Sequence, residues 1–453
     1  MDYQESINRL LSLVDHERRQ PVAPRQKQIF DLGRMEGFLD LLGNPQRSTR
    51  TIHVAGTKGK GSTAAFCDAV LAAAGYRTGF YSSPHLHSFC ERIRRDTAPI
   101  SQSRFASLVE ELWPYQELFG HSAKLGEVSL FEFMTAMAFQ CFSQDQLDFQ
   151  IIEVGLGGRL DATNVVDPQV TVITSISLDH TSILGDSLEQ IAAEKAGIIK
   201  PQVPVVIAPQ PPQALEVILS KCREQRATAI RLPEDVTWSP EERNIDGQSL
   251  RVRGRLGEYS LKISLLGAHQ LENASAALAT LEILMEKGYA ISQDAIKQGF
   301  AAACWPCRME VLGASPLLVA DGAHNPYSIG VLLRSLPEYL SYRRITLIVG
   351  FSRDKQISEM VDLLAQQAST VYATRSRHPR SVPPEELGGM FRDRGTASVA
   401  EIETVGEALS LARQAAGPED LILGIGSLFV AAEVREAALG IEPELYPDLL
   451  PAV

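Results

Sequence analysis

The feature that most limits what this chain can become is the run Gly56-Thr57-Lys58-Gly59-Lys60-Gly61-Ser62, set between a β-branched stretch and a helical one. Thr51–Ala55 (TIHVA) reads as a buried strand, and Thr63–Ala74 reads as a helix closed by Gly75, a residue suited to a left-handed C-cap. A glycine loop between strand and helix lets backbone N–H groups converge on an anion, and the helix N-terminus adds partial positive charge. The spacing is not the standard GxxxxGK[ST], because Gly61 stands between Lys60 and Ser62. A glycine-rich turn with a surface lysine would carry little weight alone. With its flanking strand and helix it reads as a phosphate loop, Lys60 facing the β- and γ-phosphates and Ser62 or Thr63 at the helix start.

Short β-branched runs alternate with longer helical stretches along the rest of the chain, the signature of an α/β fold. Ser129–Phe142 is expected to be helical, and Phe149–Val154, Val170–Ile176 and Val203–Ala208 read as strands apolar enough for a sheet covered on both faces. Ser249–Leu266 looks like two antiparallel strands, followed by a helix over Gln270–Lys287. A second α/β rhythm starts near residue 314, with strands Leu317–Ala320, Ile345–Gly350, Thr370–Thr374 and Leu421–Gly424. At 453 residues the chain exceeds one ordinary core. The expected division is 1–310, a mostly parallel sheet with an antiparallel appendage, and 311–453, a smaller α/β domain facing it across a cleft.

Bulk properties exclude several classes. The net charge of −12 argues against a nucleic-acid partner, whose phosphates require clustered Lys and Arg. The first residues, MDYQESINRLLSLVDHERR, are charged throughout, and no apolar run reaches the roughly 18 residues that span a bilayer. Six cysteines in a chain of this length suggest reduced thiols. A cytoplasmic protein without a membrane partner is expected.

Chemistry concentrates at strand ends. Glu153 closes FQIIEV and precedes GLGGRLDATN, where a nucleotide-bound Mg²⁺ needs an oxygen ligand; pairing with Arg159 is the plainer alternative. His180, in Ser177-Leu178-Asp179-His180, reads either as a metal ligand or as an ordinary polar surface residue. Ser83, in YSSPH, could add a hydroxyl oxygen, so that three ligands come from three strand ends. Lys195 lies in a helix expected after Ser187 and by itself reads as a solvated lysine beside Glu194. Cys304-Trp305-Pro306-Cys307 matches CxxC, but it opens no thioredoxin-like helix and has no second CxxC for zinc, so incidental cysteines are the better reading.

The segments VAGTKGKGST, YSSPHL, EVGLGGRLDATN, ITSISLDHTSILGDSLEQIAAEKAGIIK, WPCRMEV and DGAHNP together resemble the folylpolyglutamate synthase and dihydrofolate synthase family of the Mur ligase superfamily. The resemblance implies a P-loop ATPase-type N-terminal domain, binding ATP and a pterin, and a Rossmann-like C-terminal glutamate-ligase domain, with ATP at their interface. Thr57, Lys58, Gly59, Lys60, Gly61 and Ser62 correspond to the phosphate loop; Ser83, Glu153 and His180 match the ligands of magnesium, two ions being expected. Lys195 matches a lysine that is carbamylated in the family. Asn273 matches an adenine-side contact, Arg308 a phosphate contact, and Asp321 of DGAHNP a nucleotide contact. Asp31 and Leu32, Ser129, Leu130, Phe131 and Glu132, and Leu160, Asp161 and Ala162 are similar to the pteroate site. The family usually has asparagine in place of Lys58 and glycine in place of Cys307.

The implied activity is ATP-dependent amide ligation. A folate or dihydropteroate carboxylate attacks the γ-phosphorus, and L-glutamate's amine then attacks the acyl phosphate. Lys60, Lys195, His180 and His324 form the catalytic set, with His324 either orienting the second step or serving as a supporting hydrogen-bond partner. A monomer is expected. The alternatives are another Mur-type ligase acting on a peptidoglycan precursor, against which DATN and the SLFE helix argue, and a non-catalytic nucleotide-gated binding protein.

Overall fold

A computed structural model describes residues 1–15, 31–122 and 126–446. Eight strands form the first sheet: β1 (Arg50–Ala55), β2 (Thr78–Tyr81), β3 (Ile93–Arg95), β4 (Ala98–Pro99), β5 (Phe149–Glu153), β6 (Pro168–Ile173), β7 (Val205–Ile207) and β8 (Ala229–Arg231). Their order is β4-β3-β2-β5-β1-β6-β7-β8. The six strands from β2 to β8 in that order run parallel, while β3 and β4 turn back as an antiparallel edge. Every residue of β5 is buried, as expected for a sheet covered on both faces.

Register decides where the chemistry gathers. Val54 pairs with Glu153, Ala55 with Ile173, and Tyr81 with Ile152. The loops leaving β1, β2, β5 and β6 therefore emerge at one carboxyl edge, the usual place for a ligand in an open parallel sheet.

The appendage has three strands: β9 (Thr237–Asn244), β10 (Gly247–Arg253) and β11 (Glu258–Ile263), ordered β11-β10-β9. Two strands were expected here. β9 (TWSPEERN) is nearly all exposed and carries Pro240, so it has no apolar alternation to betray it. The helix Lys60–Ala73, buried from Gly61 to Leu71, packs between the helices Ala268–Glu286 and Gln293–Ala302. A helix enclosed on all sides cannot show an amphipathic stripe.

The second sheet contains β12 (Glu310–Ala314), β13 (Leu317–Ala320), β14 (Ile345–Val349), β15 (Ala368–Arg375), β16 (Val399–Thr404) and β17 (Leu421–Ile425), ordered β12-β13-β17-β14-β15-β16. All pairs are parallel except β12 with β13. The fold is thus a mostly parallel α/β N-terminal domain with a C-terminal α/β domain, each sheet lined by its own apolar clusters. No helix among the described residues is long and apolar enough to cross a membrane.

Candidate active site

The phosphate loop leaves β1 and enters its helix earlier than the sequence suggests. The helix starts at Lys60, with Gly59 as N-cap at φ +91°, so Ser62 and Thr63 lie within the first turn and are buried. Two glycines are there for space. A Cβ on Gly59 would lie 2.2 Å from Asn273 Oδ1, and one on Gly61 would lie 2.6 Å from Trp305 Nε1. The backbone amides of Thr57 and Lys58 both donate to the Ser175 carbonyl, and the Thr57 hydroxyl donates to Ser177 O at 3.1 Å. The loop is tied to the β6 segment at its base.

Lys60 Nζ lies 3.7 Å from Glu153 Oε1 across the loop. Burial pushes the Glu153 carboxyl up to about 7, against the pull of Lys60 and Arg308. Its Oε2 is buried with no hydrogen-bond partner. A desolvated carboxylate oxygen pointing at a phosphate loop is costly unless a cation shares it. Pairing with Arg159 is not what occupies Glu153, because Arg159 binds Glu194 at 2.8 Å.

Lys195 is not a solvated helix lysine. It is 5% exposed, and its Nζ donates to the Gly56 carbonyl at 3.0 Å, beneath the phosphate loop. Burial, reinforced by the charge of Lys60, lowers its pKa to about 7. His180 is exposed, in left-handed conformation at φ +50° before the short helix Thr181–Leu184, with its Nε2 3.9 Å from Asp179 Oδ1. Ser83, half-buried, precedes the cis Ser83–Pro84 bond two residues beyond β2. Among the described residues no three His, Cys, Asp or Glu side chains cluster as a metal site.

The linker CWPCRM enters the site from above. Trp305 packs against Phe80 with ring centroids 5.2 Å apart and fills the space over Gly61, under the Arg94 guanidinium. Cys307 and Met309 flank Arg308 at φ +57° and +48°, both left-handed. At Cys307 this is a conformation glycine adopts freely, which accounts for the glycine usual there in the family. Cys304 is exposed and Cys307 fully buried, with its thiol pushed well above the ordinary range by burial, so the pair has no redox environment. Asp321 does not reach outward. Its Oδ2 accepts from Met309 N at 2.7 Å and its Oδ1 from Ala323 N at 2.8 Å, fastening the linker to the second sheet. Asn273 is held by Gln270, its Nδ2 donating at 2.9 Å.

The three segments expected to hold a pteroate meet. Asp31 caps the helix Leu32–Leu41 through Gly33 N, and Ser129 caps Leu130–Gln144 in a capping box with Glu132. Both helices pack on the turn Ala162–Val165 that follows Leu160 and Asp161. The polar side chains here are largely consumed in holding these segments together. Glu132 receives Arg34 at 2.9 and 3.0 Å, and Asp161 accepts from Leu156 N at 2.8 Å and from Thr163. Phe131 lies so close to Gly155 that a Cβ there would be 2.4 Å from its ring, which brings this helix start up against the loop leaving Glu153.

Sequence reasoning passed over Asp179, Lys355 and Trp305. Asp179 stood beside His180 in the motif without being selected. Lys355, in GFSRDKQ after β14, belongs to no pattern; its Nζ reaches Asp179 Oδ1 at 3.4 Å from the other domain.

A half-buried phosphate loop, a strand-end glutamate and a two-sheet architecture joined by an arginine-bearing linker define a Mur-type ligase. The family models agree: "Mur ligase middle domain" matches residues 128–281 and "Mur ligase, glutamate ligase domain" matches 307–428. The dihydrofolate synthase/folylpolyglutamate synthase of Bacillus subtilis is 34% identical over 89% of this chain and 94% of that protein. The folylpolyglutamate synthase of Lacticaseibacillus casei is 35% identical over 92% and 96%. A solved folylpolyglutamate synthase of Mycobacterium tuberculosis, complexed with ADP, superposes with TM-score 0.87 at 34% identity, covering 98% of this chain and all of that one. The chain belongs to the folylpolyglutamate synthase/dihydrofolate synthase family, whose members are ATP-dependent ligases.

Proposed function

We propose that this chain uses ATP to add L-glutamate to the carboxylate of a folate, and to dihydropteroate, through an acyl phosphate. The observation that carries the reading is the convergence of Lys60, Glu153 and Arg308 at the carboxyl edge of the first sheet, with Gly322 of the second domain against Arg308. In support, one solved relative is a complex of folylpolyglutamate synthase with AMPPCP and folate, at TM-score 0.82 and 33% identity.

In this reading residues 1–310 hold ATP and the pterin, and 311–453 serve the glutamate side. The acceptor carboxylate oxygen attacks the γ-phosphorus; the bond to the β-phosphate oxygen breaks and ADP leaves. Lys60 and Arg308 stabilise the charge developing on the transferring group. The glutamate amine then attacks the acyl carbon, the C–O bond to phosphate breaks, and the amine gives up its proton. Closure of the second domain over the loop excludes the water that would hydrolyse the acyl phosphate.

The unpartnered Glu153 Oε2 fits a cation, and Ser83, Glu153 and His180 would hold Mg²⁺, which would neutralise phosphate charge. Two ions require more oxygen than these three supply, and a carbamate on Lys195 would provide it. Carbamylation joins CO₂ to a neutral amine with loss of a proton, and burial lowers the Lys195 pKa to about 7, so the amine is substantially neutral near pH 7.

ADP release tests the proposal, measured with glutamate plus dihydropteroate, tetrahydrofolate or a nucleotide-sugar peptidoglycan precursor. Turnover that requires both a pterin and glutamate is expected. No turnover with any pterin would overturn the reading, and turnover with the precursor would put the other Mur-type activity in its place.

A further inference from the structure

We propose that Lys58 and Asp179 are positioning residues that dock His324 of the second domain onto the phosphate loop and lock its imidazole in the Nδ1–H form. The inference uses the ligase reading only in taking His324 to serve the glutamate step.

Asp179, on the segment beyond β6, has a side chain only 9% exposed. Lys58 Nζ lies 3.0 Å from its Oδ2, and Lys355 Nζ of the second domain lies 3.4 Å from its Oδ1. Lys58 Nζ also lies 3.1 Å from His324 Nε2. His324 Nε2 itself is 3.7 Å from Asp179, too far for a hydrogen bond, so the link between the two passes through the lysine.

The tautomer follows from the donor inventory. An ammonium only donates, so Nε2 of His324 must accept from Lys58. A carbonyl only accepts, so Nδ1, 2.8 Å from Gly322 O, must carry the hydrogen and donate. Two hydrogen bonds on opposite sides of the ring select the same form. The chain Asp179–Lys58–His324–Gly322 thus runs from the first sheet into the second, with Lys355 returning from the loop after β14 to the same carboxylate.

An asparagine at position 58 would not do this. Its side chain is shorter by about two bonds, and its amide offers both a donor and an acceptor, so it dictates no tautomer. The lysine in this chain imposes on His324 a form that an asparagine leaves free.

The test is ¹H–¹⁵N correlation of the imidazoles in protein labelled with ¹⁵N-histidine, with His324 assigned by its loss in His324→Gln. The wild-type signal is expected to show a protonated Nδ1 and a bare Nε2. Lys58→Met and Asp179→Asn should shift it toward a mixture of forms. Lys58→Arg, which keeps a cationic donor, should restore it. Of the nine histidines the signals of those outside the contact report whether each variant has folded. In parallel, Lys58→Met should raise the glutamate KM about tenfold, roughly the worth of one orienting hydrogen bond, and Lys58→Arg should recover it. An Nε2–H form in the wild type, or an unchanged His324 spectrum in folded Lys58→Met, overturns the proposal. The spectrum needs no turnover, so failure of the ligase assay would sink the functional reading and leave this one standing.

Discussion

Lys60 and Lys58 are two residues apart and do different work. Lys60 points across the loop at Glu153, while Lys58 turns to Asp179 and the other domain. Lys60→Ala removes the cation expected to meet the transferring phosphoryl group, and a loss of about 10²–10³-fold in kcat is expected, read as ADP release. From sequence alone Lys58→Asn would be expected to leave ligation largely intact; its contacts change that expectation. Lys195 gives a pH signature. Its folded pKa of about 7 lies below the usual lysine value, so the neutral amine gains as pH rises through 7, while the cost of burying this lysine grows as pH falls from the usual lysine value toward 7 and is constant below it. Activity should therefore rise with pH around 7 and with added bicarbonate, and ¹³C-bicarbonate should give a protein-bound carbamate resonance that Lys195→Met lacks. Absence of that resonance from active enzyme would rule the carbamate out. The placing of Lys60 and Glu153 at one sheet edge was legible because each stands at or just beyond the end of an expected strand, whereas Lys195 by itself read as a solvated lysine and was singled out only through the family resemblance. Asp179, Lys355 and Trp305 were not legible, because their roles arise from segments far apart in sequence and no local pattern encodes such a contact.

At the level of elements, the two helices beside the loop leaving Glu153 are joined by a buried ion pair. Arg34, on Leu32–Leu41, and Glu132, on Leu130–Gln144, meet at 2.8 Å with side chains each 8% exposed. Removing one partner of such a pair strands the other's charge, so Arg34→Met should cost about 3–5 kcal/mol in urea unfolding. Arg34→Met with Glu132→Gln should cost less than the single change, and an additive double variant would show that the pair is not coupled. The phosphate-loop helix is braced differently. Gly61→Ala would drive a methyl into Trp305, so ATP affinity should fall, and the double variant with Trp305→Phe should recover part of it; equal affinity in wild type and Gly61→Ala would remove Trp305 from this role. Strand cores were readable to within a few residues because runs such as Thr51–Ala55 and Leu317–Ala320 are buried on both faces. The strands β3, β4 and β9, at or next to a sheet edge, were not, since they are short or polar and take their conformation from their neighbours.

Across the whole molecule, the segment after Ser83 is held as firmly by the second domain as by the first. His87 accepts from Arg435 at Nε2 and donates from Nδ1 to Glu436, both at 3.0 Å, and both partners lie on the helix Leu428–Leu439. Beyond that helix the chain crosses back over the interface. Glu444 accepts from the Tyr3 hydroxyl at 2.7 Å and from Phe89 N at 3.3 Å, and Tyr446 sets its ring edge-on to Phe89 at 5.4 Å. The second domain's last helix and the residues after it thus clasp the segment that follows Ser83, a candidate metal ligand. This clasp includes several hydrogen bonds each worth about 1 kcal/mol, so it should open locally without unfolding either sheet. Ending the chain at Gly440 should speed amide exchange across residues 85–92 about tenfold or more while leaving β1 and β5 protected. The apparent affinity for Mg–ATP should fall with it, because Ser83 loses its fixed position relative to Glu153. Glu444→Ala should give the same pattern at smaller amplitude. Unchanged exchange at 85–92 in the shortened chain would mean that the helix Leu428–Leu439 alone sets this segment, and Arg435→Ala would then be the change that frees it.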